Sequence, residues 1–426
     1  MKLVERKYLL PFVAVTTLFA LWGFANDITN PMVAAFQTLM ELPAAKASLI
    51  QFAFYGGYAT MAIPAALFIR RYSYKRGIQL GLALYAIGAF LFIPAAARQS
   101  FTFFCFSLYI LTFGLAFLET TANPFVLSLG GKENATRRLN LAQAFNPMGS
   151  LCGMAVASMV VLPNLLSDRR DSAGNILFPM LSEAEKADIR LHDLAVIRNP
   201  YVILACVVLV MLVVISLVNV PDTGPQGERQ NSFRQSLRNL WHNKTYREGV
   251  IAQVFYVAAQ IMVWTFIIQY ADNLGISKAT AQNYNIVAMC LFLVGRFAST
   301  FLMKYVDGRR LLVAFGIGAA LCSIGAIVLV GKAGLWSLVF ISLFMSLMFP
   351  TIYGTALERV ELGDASLGAA FLVMAIVGGA LMPPLQGMII DQGTLWGHPA
   401  VNVSYVLPLI CFIAVAIYGF RARKQK

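Results

Sequence analysis

The sequence predicts an all-α membrane protein, with twelve transmembrane helices in two six-helix halves. Three observations carry this reading. Of the 426 residues 59% are hydrophobic and only 12% charged, against about 25% charged in ordinary soluble chains, and a single water-surrounded core cannot absorb that much apolar surface. The apolar residues also fall in runs long enough to cross a hydrocarbon core of ~30 Å, which takes about 20 helical residues. Finally, a polar stretch over 222–248, rich in Arg and bearing Pro and Gly, splits the runs six and six.

Hydropathy and the charged or turn-forming borders place the helices in order at 9–36, 47–69, 78–96, 101–125, 141–161, 201–220, 250–270, 281–303, 311–330, 335–357, 367–390 and 401–420. The chain then divides into an N-terminal half over 1–220, a linker over 221–249 and a C-terminal half over 250–426, the layout of a two-fold repeated transporter. Residue-level repeat similarity is weak, although 68–75 and 301–309 each end the second helix of a half in a basic turn. The other long polar stretch, 162–200, carries charges over 181–193 and forms either an amphipathic helix outside the membrane or a solvated loop.

Net charge is +13, so the placement of the basic residues matters more than their number. With both termini inside, inner segments hold 23 of the 33 Lys and Arg, among them Arg70, Arg71, Lys75, Arg76, Lys132, Arg137 and Arg138. This excess puts both termini in the cytoplasm and suits the inner membrane of a bacterium. Because the basic residues are spread over many short loops, no nucleic-acid partner is expected; lipids surround the chain, and a functional monomer is expected. The first apolar run is too long for a cleaved signal peptide and lacks a small-residue cleavage site. Cys105, Cys152, Cys206, Cys290, Cys322 and Cys411 fall within helices without metal spacing and read as apolar packing residues, not disulfides or a metal site. His192, His242 and His398 fall in polar segments, which leaves proton handling in the membrane to carboxylates.

Polar side chains inside the membrane mark a solute or ion path, because burying them is costly. In the first helix Asp27 and Asn30 share a face, and Pro31 cannot bond back to the carbonyl of Asp27. Glu119 and Asn123 in the fourth helix precede Pro124, and Gln143 and Asn146 in the fifth precede Pro147, so one half repeats the same local design three times. In the second half Gln253, Tyr256, Gln260 and Trp264 follow helical spacing on one face of the seventh helix, and Tyr353 follows Pro350 in the tenth. Amides and hydroxyls bond sugar hydroxyls, while Trp and Tyr faces stack on the C–H surface of a pyranose. Arg296, in the inner part of the eighth helix, pairs with backbone carbonyls or a loop carboxylate on this reading. No Ser/His/Asp or metal constellation is present, and no enzymatic activity is expected.

The stretches Phe54-Tyr55-Gly56-Gly57-Tyr58, Phe117-Leu118-Glu119-Thr120-Thr121-Ala122-Asn123-Pro124, Arg138-Leu139-Asn140 with Ala142-Gln143-Ala144-Phe145-Asn146-Pro147, and Val373-Met374-Ala375-Ile376-Val377-Gly378-Gly379-Ala380 resemble the fucose permease branch of the major facilitator superfamily, the fucose–galactose–glucose:proton symporters. Similar stretches recur in helices one, two, four, five, seven, eight, ten and eleven. The resemblance implies the major facilitator fold and proton-coupled uptake of a monosaccharide, L-fucose or a related hexose, by alternating access, with the proton as coupling ion and no cofactor. It further implies that Glu119 couples proton and sugar and that Gln143 and Asn146 lie near the sugar. Asn30, Asn123, Gln260, Trp264 and Tyr353 complete the expected sugar contacts.

The first helix departs from the pattern. Relatives tend to carry an Asn-Asp pair after the Trp-Gly, whereas here Trp22-Gly23 is followed by Asp27 and then Thr29-Asn30. By position the family acid falls at Asn30 and has moved one turn earlier. Either Asp27 substitutes from the same face, or coupling rests on Glu119 alone, or the sugar preference has changed. An uncoupled sugar facilitator and a metabolite or drug exporter of the same fold are the alternative functions.

Overall fold

The computed structural model describes residues 8–29, 31–129, 142, 145–172, 174–218, 232–303, 305–329, 331–358 and 360–424. Among these, eleven helical stretches are long and apolar enough to cross a membrane. Lys278–Leu302, with Gln282, Asn285 and Arg296 along it, is the more polar eighth in chain order and completes the twelve. Several spans are interrupted. The first consists of Leu9–Thr29 and Met32–Leu39, broken around Pro31, and the tenth of Lys332–Met345 and Met348–Leu357. The eleventh runs from Leu362–Met374 through a 3₁₀ turn, Ala375–Val377, into Gly378–Ile390, and the fifth, Phe145–Val156, loosens into a π-helical turn at Ala157–Val161. Such breaks are tolerated in a membrane where neighbouring helices re-satisfy the backbone.

Two segments go beyond the sequence reading: the helical alternative for 181–193 is the one found and is longer than expected, and the linker is partly helical. The stretch after the fifth helix forms short 3₁₀ turns at Leu162–Asn164, Leu166–Asp168 and Phe178–Met180, and then a helix, Glu183–Leu217, that runs through Pro200 and includes the whole sixth span. A capping box starts it: the Ser182 hydroxyl accepts from the Glu185 N–H, and the Glu185 carboxylate accepts from the Ser182 N–H. Lys186 and Arg190 then pair with Glu41 at 2.9 Å each, and Asp193 accepts from the N–H groups of Leu166 and Ser167. The polar residues therefore face the rest of the first half and let the helix continue. Likewise the linker holds a helix, Phe233–His242, and the seventh helix starts at Lys244, earlier than hydropathy places it. The cysteines are also less uniform than expected: Cys411 is buried, while Cys152, Cys206 and Cys290 are exposed.

Helix packing repeats between the halves. In the first half the first helix (Leu9–Thr29) lies against the fifth, and in the second the seventh (Lys244–Asp272) lies against the eleventh. Backbones approach closely at a glycine in each pair. A Cβ at Gly149 would stand 1.8 Å from the carbonyl oxygen of Ala20, and one at Gly378 would stand 2.1 Å from that of Val254. Between helices in lipid, where there is little hydrophobic drive to associate, small residues allow the close contact that holds them. Gly149→Val and Gly378→Val should each cost upwards of about 1–3 kcal/mol, the usual range for overpacking. The expected outcome is a lower yield of monodisperse protein and a lower unfolding temperature for both variants, measured by size exclusion and thermal melting; a wild-type melt for either would remove its contact from the account.

Candidate functional site

Glu119 sits in the fourth helix, Phe101–Ser128, and is only 8% exposed. The second helix, Leu49–Arg71, brings Tyr58 within electrostatic reach of its carboxyl group, and the second segment of the tenth brings Tyr353. The acid of one half therefore faces a tyrosine of the other. Trp22, from the first helix, lies close enough to Tyr58 to act on its hydroxyl. One turn earlier, the Tyr55 hydroxyl donates to Asn26 Oδ1 at 2.8 Å and lies within electrostatic reach of Asp27, which is 1% exposed. Tyr55 and Tyr58 thus each lie in the field of one of the two buried acids. The glycines between them have a packing role as well: a Cβ at Gly57 would come within 2.7 Å of Thr112 on the fourth helix.

The other expected site residues divide into three groups. Gln260 and Tyr353 are half-buried, and neither polar head has a hydrogen-bond partner among the described residues; Tyr353 stacks on Phe349 with rings 15° from parallel. Asn146 and Trp264 are engaged by protein. Asn146 Nδ2 donates to the Phe19 carbonyl at 3.3 Å, tying the fifth helix to the first. The Trp264 indole donates to Ser342 at 3.1 Å and lies edge-on to Phe292, both in the second half. Asn30, Gln143 and the side chain of Asn123 lie outside the described residues. Arg296 stands over the Phe292 ring at 4.8 Å and within electrostatic reach of Tyr256, whose hydroxyl donates to the Met345 carbonyl.

The sequence reading missed Trp22, Asn26, Tyr55 and Tyr58 as site residues. Two tyrosines three apart around a Gly-Gly pair in a membrane helix were the available signal, since they share a face and their hydroxyls need partners once buried.

The polar ties between the halves gather at the end of the bundle opposite the linker. There Lys278 Nζ reaches Asp168 at 2.6 Å, Arg170 pairs with Asp272, and Ser158 donates to Asn283 at 2.6 Å. The carboxylate of Asp391 accepts from the N–H groups of Ala44 and Ala45. Slightly deeper, Gln51 donates to Thr265 at 3.0 Å. Near the linker, by contrast, the ties among described residues stay within one half: Lys75 to the carbonyls of Ser216 and Val218, Asn239 to Asp364, Tyr246 to the Gly368 carbonyl and Arg421 to Glu248. A polar, acid-bearing site between two halves, closed by side chains at one end, is the arrangement of a carrier that opens to one side at a time.

Comparison with known proteins agrees with this geometry. Residues 13–383 match the sequence profile of the Major Facilitator Superfamily. The chain is 62% identical to the L-fucose-proton symporter of Haemophilus influenzae, over 99% of both chains. It is 35% identical to the L-fucose-proton symporter of Escherichia coli, over 99% of this chain and 94% of that one. Among solved structures, it superimposes on the major facilitator transporter FucP in its outward conformation with a TM-score of 0.73 and 33% identity, covering 98% of this chain and 99% of that one. A bacterial homologue of the lysosomal transporter Spinster, inward-facing and unoccupied, matches with a TM-score of 0.72 at 15% identity, over 99% of this chain and 98% of that one, which speaks to the fold alone. The chain belongs to the major facilitator superfamily, in its fucose permease-like branch.

Proposed function

We propose that this protein imports L-fucose, or a closely similar hexose, together with protons by alternating access. The carrying observation is whole-length identity of 62% to an L-fucose-proton symporter, in a chain whose buried Glu119 faces the opposite half. The basic excess at the linker end puts that end and both termini in the cytoplasm, in the inner membrane of a bacterium. The Asp168–Lys278 and Arg170–Asp272 clasp is then external, and the state described is closed to the outside. The protein works as a monomer, with the proton its only coupling ion.

In this scheme sugar bridges the halves, with Gln260 and Tyr353 offering amide and hydroxyl from the second half and Asn30, Asn123, Gln143 and Asn146 framing it from the first. Trp264 shapes the wall through its contacts with Ser342 and Phe292. A proton on Glu119 removes a charge from the seam between the halves, so protonation favours closure around the sugar. By linkage, if sugar binds the protonated form better, the proton binds the loaded form better by the same factor. An inward proton gradient then drives accumulation.

Glu119→Gln should abolish gradient-driven accumulation in proteoliposomes yet retain sugar exchange at equal pH, because the amide stands in for the protonated acid. Full accumulation by this variant would refute the coupling role. For the sugar contacts, Gln260→Ala should weaken binding by about 1–3 kcal/mol, the cost of an unsatisfied buried partner, with folding intact; unchanged affinity by calorimetry would assign Gln260 to packing. For the first helix, Asp27→Asn should lose proton-driven uptake, and Asp27→Asn with Asn30→Asp should recover part of it. A wild-type pH profile of uptake in the single variant, at matched protein levels, would leave coupling to Glu119 alone.

A further inference from the structure

The linker helix Phe233–His242 is too short and too charged to cross a membrane, and its surface is divided in an unusual way. Each residue turns an α-helix by about 100°, so the side chains can be followed around it. One side, formed by Ser236, Asn239 and Leu240, docks on the second half: Ser236 and Leu240 are buried, and Asn239 Nδ2 donates to Asp364 at 2.8 Å. The adjacent stripe is Phe233, Leu237 and Trp241, at 42%, 39% and 66% exposure. Next come the exposed Arg234 and Arg238, and the remaining side, Gln235 and His242, is polar. The helix contains neither Asp nor Glu.

Protein, apolar, cationic and polar faces therefore follow one another around the axis. This is the order met by a helix lying at the edge of the bundle in the plane of a bilayer surface, with its apolar stripe toward the acyl chains and its arginines at headgroup level. The surroundings continue the pattern. Arg247, in the first turn of the seventh helix, stands over the Trp241 ring at 5.7 Å, and Lys244 is exposed beside it. The twelfth helix ends at the same end of the bundle in Arg421, Arg423 and Lys424, where the neighbouring Glu248 is already paired with Arg421. A Trp next to Arg is also the usual composition of a membrane-interface anchor.

We propose that this helix is a seat for anionic phospholipid: phosphate headgroups such as those of phosphatidylglycerol bind Arg234 and Arg238, while Phe233, Leu237 and Trp241 enter the acyl boundary. Bound lipid holds the linker helix on the second half, next to the start of the seventh helix. The proposal concerns the leaflet at the linker end, and it stands whichever side of the cell that leaflet faces and whatever sugar is carried.

The test uses the full-length protein in lipid nanodiscs of phosphatidylcholine alone or with phosphatidylglycerol, the phosphatidylglycerol unlabelled or brominated on its acyl chains. The Trp241 signal is the difference between wild type and Trp241→Phe, both checked for folding by size exclusion. Brominated phosphatidylglycerol should quench that signal, and unlabelled phosphatidylglycerol should lower its quenching by aqueous iodide several-fold. A second readout is the rise in unfolding temperature of detergent-solubilised protein on adding phosphatidylglycerol, which the Arg234→Gln/Arg238→Gln variant should largely lose. Trp241 equally open to iodide in both lipids would show a face turned to water or to a protein partner and would overturn the proposal. So would the same stabilisation by phosphatidylcholine, or an undiminished shift in the double variant.

Discussion

The constraint on which the rest of this structure depends is that the hydrocarbon core holds no water to satisfy a polar group. It forces the backbone into helices and requires every buried polar side chain to find a partner, because a buried orphan costs about 1–3 kcal/mol. Most comply. Tyr256, Trp264 and Asn285 of the second half bond carbonyls or hydroxyls of neighbouring helices, and Thr16, Thr112 and Thr121 return their hydroxyls to their own helix. Against that background the seventh helix stands out. Every residue from Ile261 to Ala271 is buried, yet the carboxamides of Gln253 and Gln269 have no partner among the described residues.

The same constraint governs how the protein can move. Opening a seam of interdigitated apolar side chains exposes apolar surface to water and costs free energy in proportion to its area, whereas an ion pair at a bundle end exchanges its partner for water. Lys278 and Asp168 are 2% and 8% exposed when paired, and a buried pair that opens so that both partners reach water gives up little net energy, since desolvation and attraction nearly cancel. If only one partner were removed, the other would remain buried and uncompensated. A clasp of this kind fixes the closed geometry without making it irreversible, as a two-state carrier requires. The glycine contacts at Gly149 and Gly378 act oppositely: within each half they bind a pair of helices backbone to backbone, so that each half moves as a unit.

How much was legible in the sequence follows from the same physics. The twelve spans could be read because length and apolarity are imposed by the bilayer, and the acids because charge inside an apolar run is rare. The long helix Glu183–Leu217 was legible only in part: a helix over 181–193 stood as one of two alternatives, but its continuity with the sixth span did not, because hydropathy ends a span where charges begin; Ser182 and Glu185 at capping-box spacing were the signal that decides for the helix. The linker helix was hidden in the same way, its Phe233, Leu237 and Trp241 periodicity diluted by arginines. Among site residues, Glu119 and Asp27 could be named, but the direction of Trp264 could not. Helical spacing puts Trp264 on the same face as Gln253, Tyr256 and Gln260, but spacing does not say which neighbours that face meets, and there the indole is taken up by Ser342 and Phe292. Tyr55 and Tyr58 were visible as a motif, but their link to the acids depends on where the first and fourth helices pass the second.

Asp27, near the end of the first segment of the first helix, acquires a physical setting from the break beside it. The helix stops at Thr29, whose hydroxyl bonds back to the Ala25 carbonyl and meets the Tyr201 hydroxyl at 2.8 Å. Tyr201 in turn stacks on Phe92 with ring centroids 4.0 Å apart. The break is therefore braced by the third and sixth helices, and the first segment of the helix is held to the fifth at Asn146 and Gly149. Asp27 thus sits on the last turn of a fixed segment, one residue from Asn26, which anchors Tyr55, and a Cβ on Gly379 of the eleventh helix would meet the Tyr55 ring at 3.0 Å. Asp27 therefore stands on the braced side of the break, next to the tyrosine that approaches the opposite half, so its charge bears on the contact between the halves and not on the joint.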